Sequence, residues 1–425
     1  MQKVLLISYL WPPQEGVGLV RALKFAKYLP LYGWEAVVLT ASPADGDSLS
    51  LDSPHQAVKV YRTPYRDVLG GIKTSLGGRS MPSYGRPSVI RRFAREMIAM
   101  PDEQIGWRKG AVEAGLKAIN DYPVDLIFST SPPETAHLVA RSLKRQSGLP
   151  WIADLRDLWA FDHFRKRHPA KKAALRLMER FVLKDAERIV TVSRPWAERL
   201  GASTAAKEKI RVIENGFDEE DFSGWEYEGG ERLIFAYTGK LHKEYQRIDT
   251  FLRALKELID EGRVNPKMIE VRFYVLGYDK PDIKSLAASY GLSGVVNEFA
   301  KVGYKESLRI QRMSDVLLLV QWQGASSDGW YSAKLYDYLG ARRPILAMAK
   351  KGGIVDELIT SANSGFVADN VSALKDAVLS FYKEHKETGR VSYRGDDTRV
   401  SGYSRRFRAK ELAHLFDEVA GYTIA

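Results

Sequence analysis

Short, unbroken apolar runs alternate along this chain with segments whose apolar residues recur at helical spacing. The first run is Val4-Leu5-Leu6-Ile7. A loop, Trp11-Pro12-Pro13-Gln14-Glu15-Gly16-Val17-Gly18, leads from it into a helix-patterned stretch over 21–29 and then a second run, Ala36-Val37-Val38-Leu39. Strand, loop, helix and strand in that order make a βαβ unit. The alternation continues, predicting strands at 58–61, 126–129, 151–153, 189–192 and 210–213 and a helix at 173–184. A second series has strands at 233–237, 270–276, 316–320 and 344–347, with helices at 248–260, 285–290, 332–340, 373–385 and 404–420. Apolar strands separated by helices specify parallel sheets covered on both faces. The polar stretch 218–231, rich in Gly and acids, separates the two series and reads as a linker.

Composition narrows the choice. A chain of 425 residues with 45% hydrophobic content suits two α/β domains rather than one core. With no cysteine, disulfides and thiolate chemistry are excluded, and the 7 histidines show no metal-ligand spacing, so no metal or bound cofactor is expected. No apolar run reaches the length of a membrane span, so a cytoplasmic protein is expected.

The net charge of +11 calls for an anionic partner. In 86–100, Val89, Ile90, Phe93, Met97 and Ile98 share one helical face, and Arg91, Arg92 and Arg95 lie opposite. A second basic block runs from 165 to 172. No nucleic-acid-binding motif accompanies them, so a peripheral site on the inner face of an anionic membrane is the expected partner surface, at about 1 kcal/mol per basic residue.

In open parallel sheets, ligands bind beyond the carboxyl ends of the strands. After the first strand come Gly16, Gly18 and Arg21, which suit anion handling; the third glycine of the dinucleotide fingerprint is absent. After 151–153 come Asp154, Arg156 and Asp157, a charge cluster that is either functional or a structural ion-pair knot. After 233–237 come Gly239 and Lys240, with Lys243 and Arg247 close behind. After 316–320 a polar loop opens onto Ser332, Lys334 and Asp337 at a helix start. His137 reads as a helix residue rather than a catalyst.

These segments, in this order, resemble the GT-B-fold glycosyltransferases, in particular the retaining, nucleotide-sugar-dependent family 4. The resemblance covers nearly the whole length. It rests on Ser8-Tyr9-Leu10-Trp11-Pro12-Pro13, on Asp154-Leu155-Arg156-Asp157-Leu158-Trp159, on Ile189-Val190-Thr191-Val192-Ser193 and on Val212-Ile213-Glu214-Asn215-Gly216-Phe217-Asp218. It continues in Tyr237-Thr238-Gly239-Lys240-Leu241 and in Lys334-Leu335-Tyr336-Asp337-Tyr338-Leu339-Gly340-Ala341-Arg342-Arg343-Pro344-Ile345-Leu346-Ala347, which is similar to the family's K-L-F/Y-E-Y-L-A-x-G-K/R-P-I-L-A segment.

The resemblance implies two Rossmann-like domains with parallel sheets facing a central cleft: 1–219 for the acceptor, a linker at 220–231, 232–400 for the nucleotide sugar, and a C-terminal helix at 401–425 that packs back on the N-terminal domain. It implies that Gly239, Lys240, Arg247, Lys334 and the helix start at Ser332 hold the donor diphosphate, and that Asp337 accepts the ribose hydroxyls. The loop with Gly16, Gly18 and Arg21 closes over the phosphates or acceptor, and the Asp154 position, with Arg156 and Asp157, faces the reacting sugar. The acceptor is a saccharide or lipid-linked saccharide, as in cell-envelope polysaccharide synthesis, and no metal is required. One departure stands out. Of the family's E-x7-E motif the second position is Asp337, but the first falls on Gly329, with Asp328 beside it. A catalytically silent sugar-nucleotide-binding scaffold and a sugar-nucleotide epimerase are the rival readings.

Overall fold

The computed structural model describes residues 1–14, 17–42, 58–65, 99–161, 168–204, 206–277, 279–322, 329 and 331–422. The chain divides into two compact units, Met1–Glu214 with Arg408–Ala425, and Asn215–Phe407.

In the first unit the apolar runs become a seven-stranded parallel sheet: β1 (Gln2–Ser8), β2 (Trp34–Ala41), β3 (Lys59–Thr63), β4 (Leu126–Ser131), β5 (Trp151–Leu155), β6 (Arg188–Thr191) and β7 (Ile210–Val212), in the order β3-β2-β1-β4-β5-β6-β7. Its centre is dry because β1 is flanked on both edges: Leu5 lies opposite Val37 on one side and Ile127 on the other. Helices α1 (Val17–Tyr28), α2 (Arg108–Asp121), α3 (Thr135–Ser147), α4 (Pro169–Leu183) and α5 (Arg194–Thr204) connect the strands.

The second unit repeats the plan with six strands: β8 (Leu233–Lys240), β9 (Ile269–Leu276), β10 (Val296–Phe299), β11 (Val316–Val320), β12 (Ile345–Met348) and β13 (Gly365–Ala368), ordered β10-β9-β8-β11-β12-β13. Its helices are α6 (Asp249–Asp260), α7 (Ile283–Ser289), α8 (Tyr304–Arg312), α9 (Ala333–Gly340), α10 (Ile354–Ser361), α11 (Val371–Thr388) and α12 (Asp397–Ser401). Apolar clusters cover both faces of this sheet, one under α6 and α11 and the other under α9 and α10. Each sheet therefore has a point where the strand order reverses, between β1 and β4 and between β8 and β11. That is where open α/β sheets bind ligands.

The last helix, α13 (Arg405–Ala420), contributes Ala409, Leu412, Ala413, Leu415 and Phe416 to the core of the first unit. Phe416 meets Trp34 and Phe128 edge-on, with ring centroids 5.2 and 5.5 Å apart. The boundary between units falls at Glu214, ahead of the expected 219. The stretch expected as a linker is packed, because Phe222 is buried against the second unit's core and the Tyr227 hydroxyl donates to Asp315.

The chain between β3 and β4 contains α2. The expected amphipathic segment lies outside the described residues except for Ala99 and Met100, as do residues 165–167 of the second basic block. Lys171 of that block is buried, so it does not belong to an open basic face. Among the described residues, no helix is long and apolar enough to cross a membrane.

Candidate active site

Most of the residues expected to act that the structure describes lie near the two switch points, in different surroundings. In the first unit, Asp154 ends β5 fully buried, at 0% exposure, and Arg21 on α1 is 2% exposed. Arg21 donates from Nε to Asp154 Oδ2 at 3.0 Å and from Nη2 to Oδ1 at 2.9 Å, while the Thr130 hydroxyl donates to Oδ2 at 2.7 Å. The guanidinium also donates to the carbonyls of Ile213 and Glu214, each at 2.8 Å. This is a bidentate tie between α1, β4, β5 and the chain leaving β7, and both side chains of the pair are buried.

Arg156 and Asp157 lie two and three residues on, half-buried. Arg156 donates to the Ser131 carbonyl at 2.7 Å, to Pro132 O at 3.3 Å and to the Gly18 carbonyl, so it joins the loops after β1 and β4. Burial lowers its pKa, against the opposing pull of Asp154 and Asp157. Gly16 lies outside the described residues. His137 is a buried helix residue, as expected: Nδ1 pairs with Ser129 Oγ at 2.8 Å, the ring stacks on Trp159, and burial pushes its pKa down to about 3.

The second switch point is where charge and accessibility coincide. Lys334, in the first turn of α9, crosses to the end of β8, where Nζ donates to Tyr237 OH at 2.9 Å and to the Lys240 carbonyl at 2.7 Å. Gly239 makes that passage possible. Its φ is +107°, and a Cβ there would lie 2.6 Å from Lys334 Cε. Burial lowers the Lys334 ammonium to about pKa 7, a shift that Asp337 opposes and Lys240 reinforces. Asp337, one turn along the same face, is raised to about 7 by burial; Arg405 opposes the shift and Asp221 adds to it. Lys240 is exposed, and Ser332 is buried at the N-cap of α9, whose first amides have no intrahelical acceptor. The structure thus brings together Gly239, Lys240, Ser332, Lys334 and Asp337. Arg247 stands apart just before α6, exposed, with Nε on Asp249 Oδ2 at 3.2 Å.

Three neighbours escaped the sequence reading. The Tyr304 hydroxyl donates to Asp337 Oδ1 at 3.4 Å, and Tyr237 and Tyr338 wall the lysine and the Thr238 amide. Tyr304 opens a helix whose pattern is mostly polar, which is why nothing flagged it; Tyr237 and Tyr338 sit inside motifs already singled out. Gly329, at the first position of E-x7-E, has φ +91° and supplies no carboxylate. An Asp-x-Asp triplet, a spacing able to present two carboxylates to a hard cation, does occur at Asp45-Gly46-Asp47; it lies outside the described residues.

A parallel α/β unit with a cationic group at its switch point defines a class of anion-binding sites that many enzymes share. Residues 18–216 match the Glycosyl transferase 4-like domain, and residues 232–384 match Glycosyl transferases group 1. The chain belongs to the GT-B glycosyltransferases that combine these two domains, and it is a glycosyltransferase.

Among solved structures it is similar to sucrose-phosphate synthase from Thermosynechococcus elongatus, at 16% identity and TM-score 0.64 over 99% of this chain and 100% of that one. It is also similar to HepE from Anabaena in complex with UDP and glucose, at 13% identity and TM-score 0.64 over 98% and 100%. The UDP-GlcNAc 2-epimerase of Methanocaldococcus jannaschii matches at 12% identity and TM-score 0.54 over 98% and 100%. At these identities the likeness is one of fold. No curated protein matches the chain in sequence.

Proposed function

We propose that the chain moves a sugar from a nucleoside-diphosphate sugar to a saccharide or lipid-linked saccharide, with retention of configuration and without a metal, in the assembly of a cell-envelope glycan. The observation that carries this reading is the ammonium of Lys334, held by Tyr237 and the Lys240 carbonyl at the mouth between β8 and β11. As the sugar–oxygen bond breaks, the leaving diphosphate gains charge. A fixed cation, the exposed Lys240 and the first amides of α9 stabilise that charge where it develops. Asp337, oriented by Tyr304, accepts the ribose hydroxyls, and Arg247 supplies a further cation from its exposed position. In the first unit, Arg156 and Asp157 meet the acceptor, and the Arg21–Asp154 tie holds the loops they stand on. A uridine nucleotide is the favoured donor, since HepE, which shares the fold, is in complex with UDP and glucose.

The silent-scaffold reading keeps one observation in its favour, the glycine at the first E-x7-E position. The deciding experiment is thermal unfolding against UDP, GDP, ADP and CMP with EDTA throughout. A ligand at about a hundred times its Kd adds roughly 2.7 kcal/mol. A shift with one nucleoside diphosphate, lost in Lys334→Ala, supports the site. Turnover of the matching sugar nucleotide with a saccharide acceptor, and NMR of the new anomeric centre, then test transfer and retention. A shift without turnover would favour the scaffold; isomerisation of the free sugar nucleotide would favour the epimerase; a requirement for a divalent cation would remove the metal-free step.

A further inference from the structure

Helix α4 of the first unit carries an unusual outward face. Leu177 and Phe181, one turn apart, are 70% and 61% exposed. On either side of them Arg176, Arg180 and Lys184 are also exposed. The helix has one acid, Glu179, and it turns inward: it is fully buried and accepts from the Trp159 amide at 3.2 Å. Beside Phe181 a groove of about 550 Å³ runs between α2, α3 and α4. Met100, Ile105, Leu138, Met178 and Val182 form its apolar lining, and Arg108 and Arg145 stand at its edge. The Arg141 guanidinium lies 4.2 Å from the Phe181 ring centroid, and Arg141 and Arg145 both pair with Asp185.

From this geometry we infer that the outer face of α4, with the adjoining groove, is a docking site for an anionic phospholipid bilayer. Leu177 and Phe181 enter the acyl boundary, the groove takes a lipid tail, and the arginines meet the phosphates. The occupant follows from complementarity. An apolar ridge bordered by cations, on a helix whose one acid is buried, matches a surface that is apolar inside and negative at its headgroups. A soluble anion leaves the ridge unused, and a neutral protein face leaves the cations unmatched. The inference deepens the proposed reading of a membrane-associated acceptor, because it names the surface that would bring the enzyme to a lipid-linked substrate. It is tested without reference to transfer.

The experiment is co-sedimentation of the full chain with phosphatidylcholine vesicles, alone or mixed with phosphatidylglycerol. The native protein is expected on the mixed vesicles only, and released by salt. Leu177→Asp/Phe181→Asp is expected to abolish binding. Arg176→Gln and Arg180→Gln are each expected to lower the partition coefficient about fivefold, the equivalent of about 1 kcal/mol per basic residue. All these side chains are exposed, so the melting temperature and the nucleotide-induced shift should stay at native values. Failure of the native protein to bind mixed vesicles, or equal binding by the double variant, would overturn the inference. So would sedimentation velocity showing a dimer that Leu177→Asp dissociates, since the face would then belong to a second copy. If vesicle binding is lost while the nucleotide shift persists, the docking face and the donor site are separable. If neither exists in the native protein, both readings fall.

Discussion

At the residue scale, the ionisation of Lys334 should set the pH range over which nucleotide binds. Its pKa in the folded chain is lowered from 10.5 to about 7, chiefly by burial. The protonated form supplies the charge a diphosphate needs, so affinity should be highest below about pH 7 and fall as pH rises past it. The neighbouring Asp337 adds to the same trend, because its carboxyl is raised to about 7 and becomes anionic over the same interval. For folding stability the two groups have opposite signs. Asp337 contributes stability that is present below the unfolded value of 3.8 and lost as pH rises through about 7. Lys334 contributes stability that is present above the unfolded value of 10.5 and lost as pH falls through about 7. Calorimetric titration of the nucleoside diphosphate between pH 6 and pH 9 (roughly spanning the pKa of Lys334) should show weakening on the alkaline side. In Lys334→Met binding should be weak throughout, with most of that slope gone. A native affinity that is flat across the range would mean that the ammonium does not meet the diphosphate.

At the scale of elements, the Arg21–Asp154 pair explains how the first unit's switch point is held. A buried ion pair gains little over apolar side chains of the same shape, but removing one partner strands the other charge, at about 3–5 kcal/mol. Asp154→Ala should therefore lower the first unit's stability by that order. Arg21→Met/Asp154→Leu should recover much of the loss, a non-additivity typical of residues in contact. If Asp154 touched the reacting sugar, the double variant would fold and still be inactive, so its stability and its turnover together separate the roles.

The same pair shows where sequence reading reached and where it stopped. Asp154 was legible because it follows the apolar run 151–153 directly, and Arg21 because it follows the glycine loop after the first strand. That the two charges meet across 133 positions is a product of strand order and cannot be read from spacing. Eleven strands were legible as apolar runs, and the central ones, β4, β5 and β11, are buried along their whole length. β10, Val296-Asn297-Glu298-Phe299, and β13, Gly365-Phe366-Val367-Ala368, were not, being short edge strands without an apolar run. Around the site, Lys334, Asp337 and Gly239 were legible in motifs. Tyr304 was not, because it reaches Asp337 from the start of α8, far away in sequence.

At the scale of the whole molecule, the chain returns at its end to the unit in which it began. Helix α13 completes the first unit's core although the entire second unit intervenes, so that core needs residues on both sides of the second unit. Phe416 is the key of this closure: it is fully buried, packs edge-on against Trp34 and Phe128, and its neighbour Asp417 accepts from Trp34 Nε1 at 2.9 Å. Truncating a buried aromatic costs about 3–5 kcal/mol in lost burial and the cavity it leaves. Phe416→Ala should therefore lower the stability of the first unit by that amount and bring its melting transition down. The second unit carries its own two apolar clusters and none of α13's buried residues from 409 onward, so it should keep its transition and its nucleotide-dependent shift. Differential scanning calorimetry with and without the nucleoside diphosphate reads both. Two transitions, of which only the nucleotide-insensitive one moves in Phe416→Ala, are the expected result. A single transition that drops as a whole would show that the two units unfold as one, and that the closing helix governs the stability of the donor site as well.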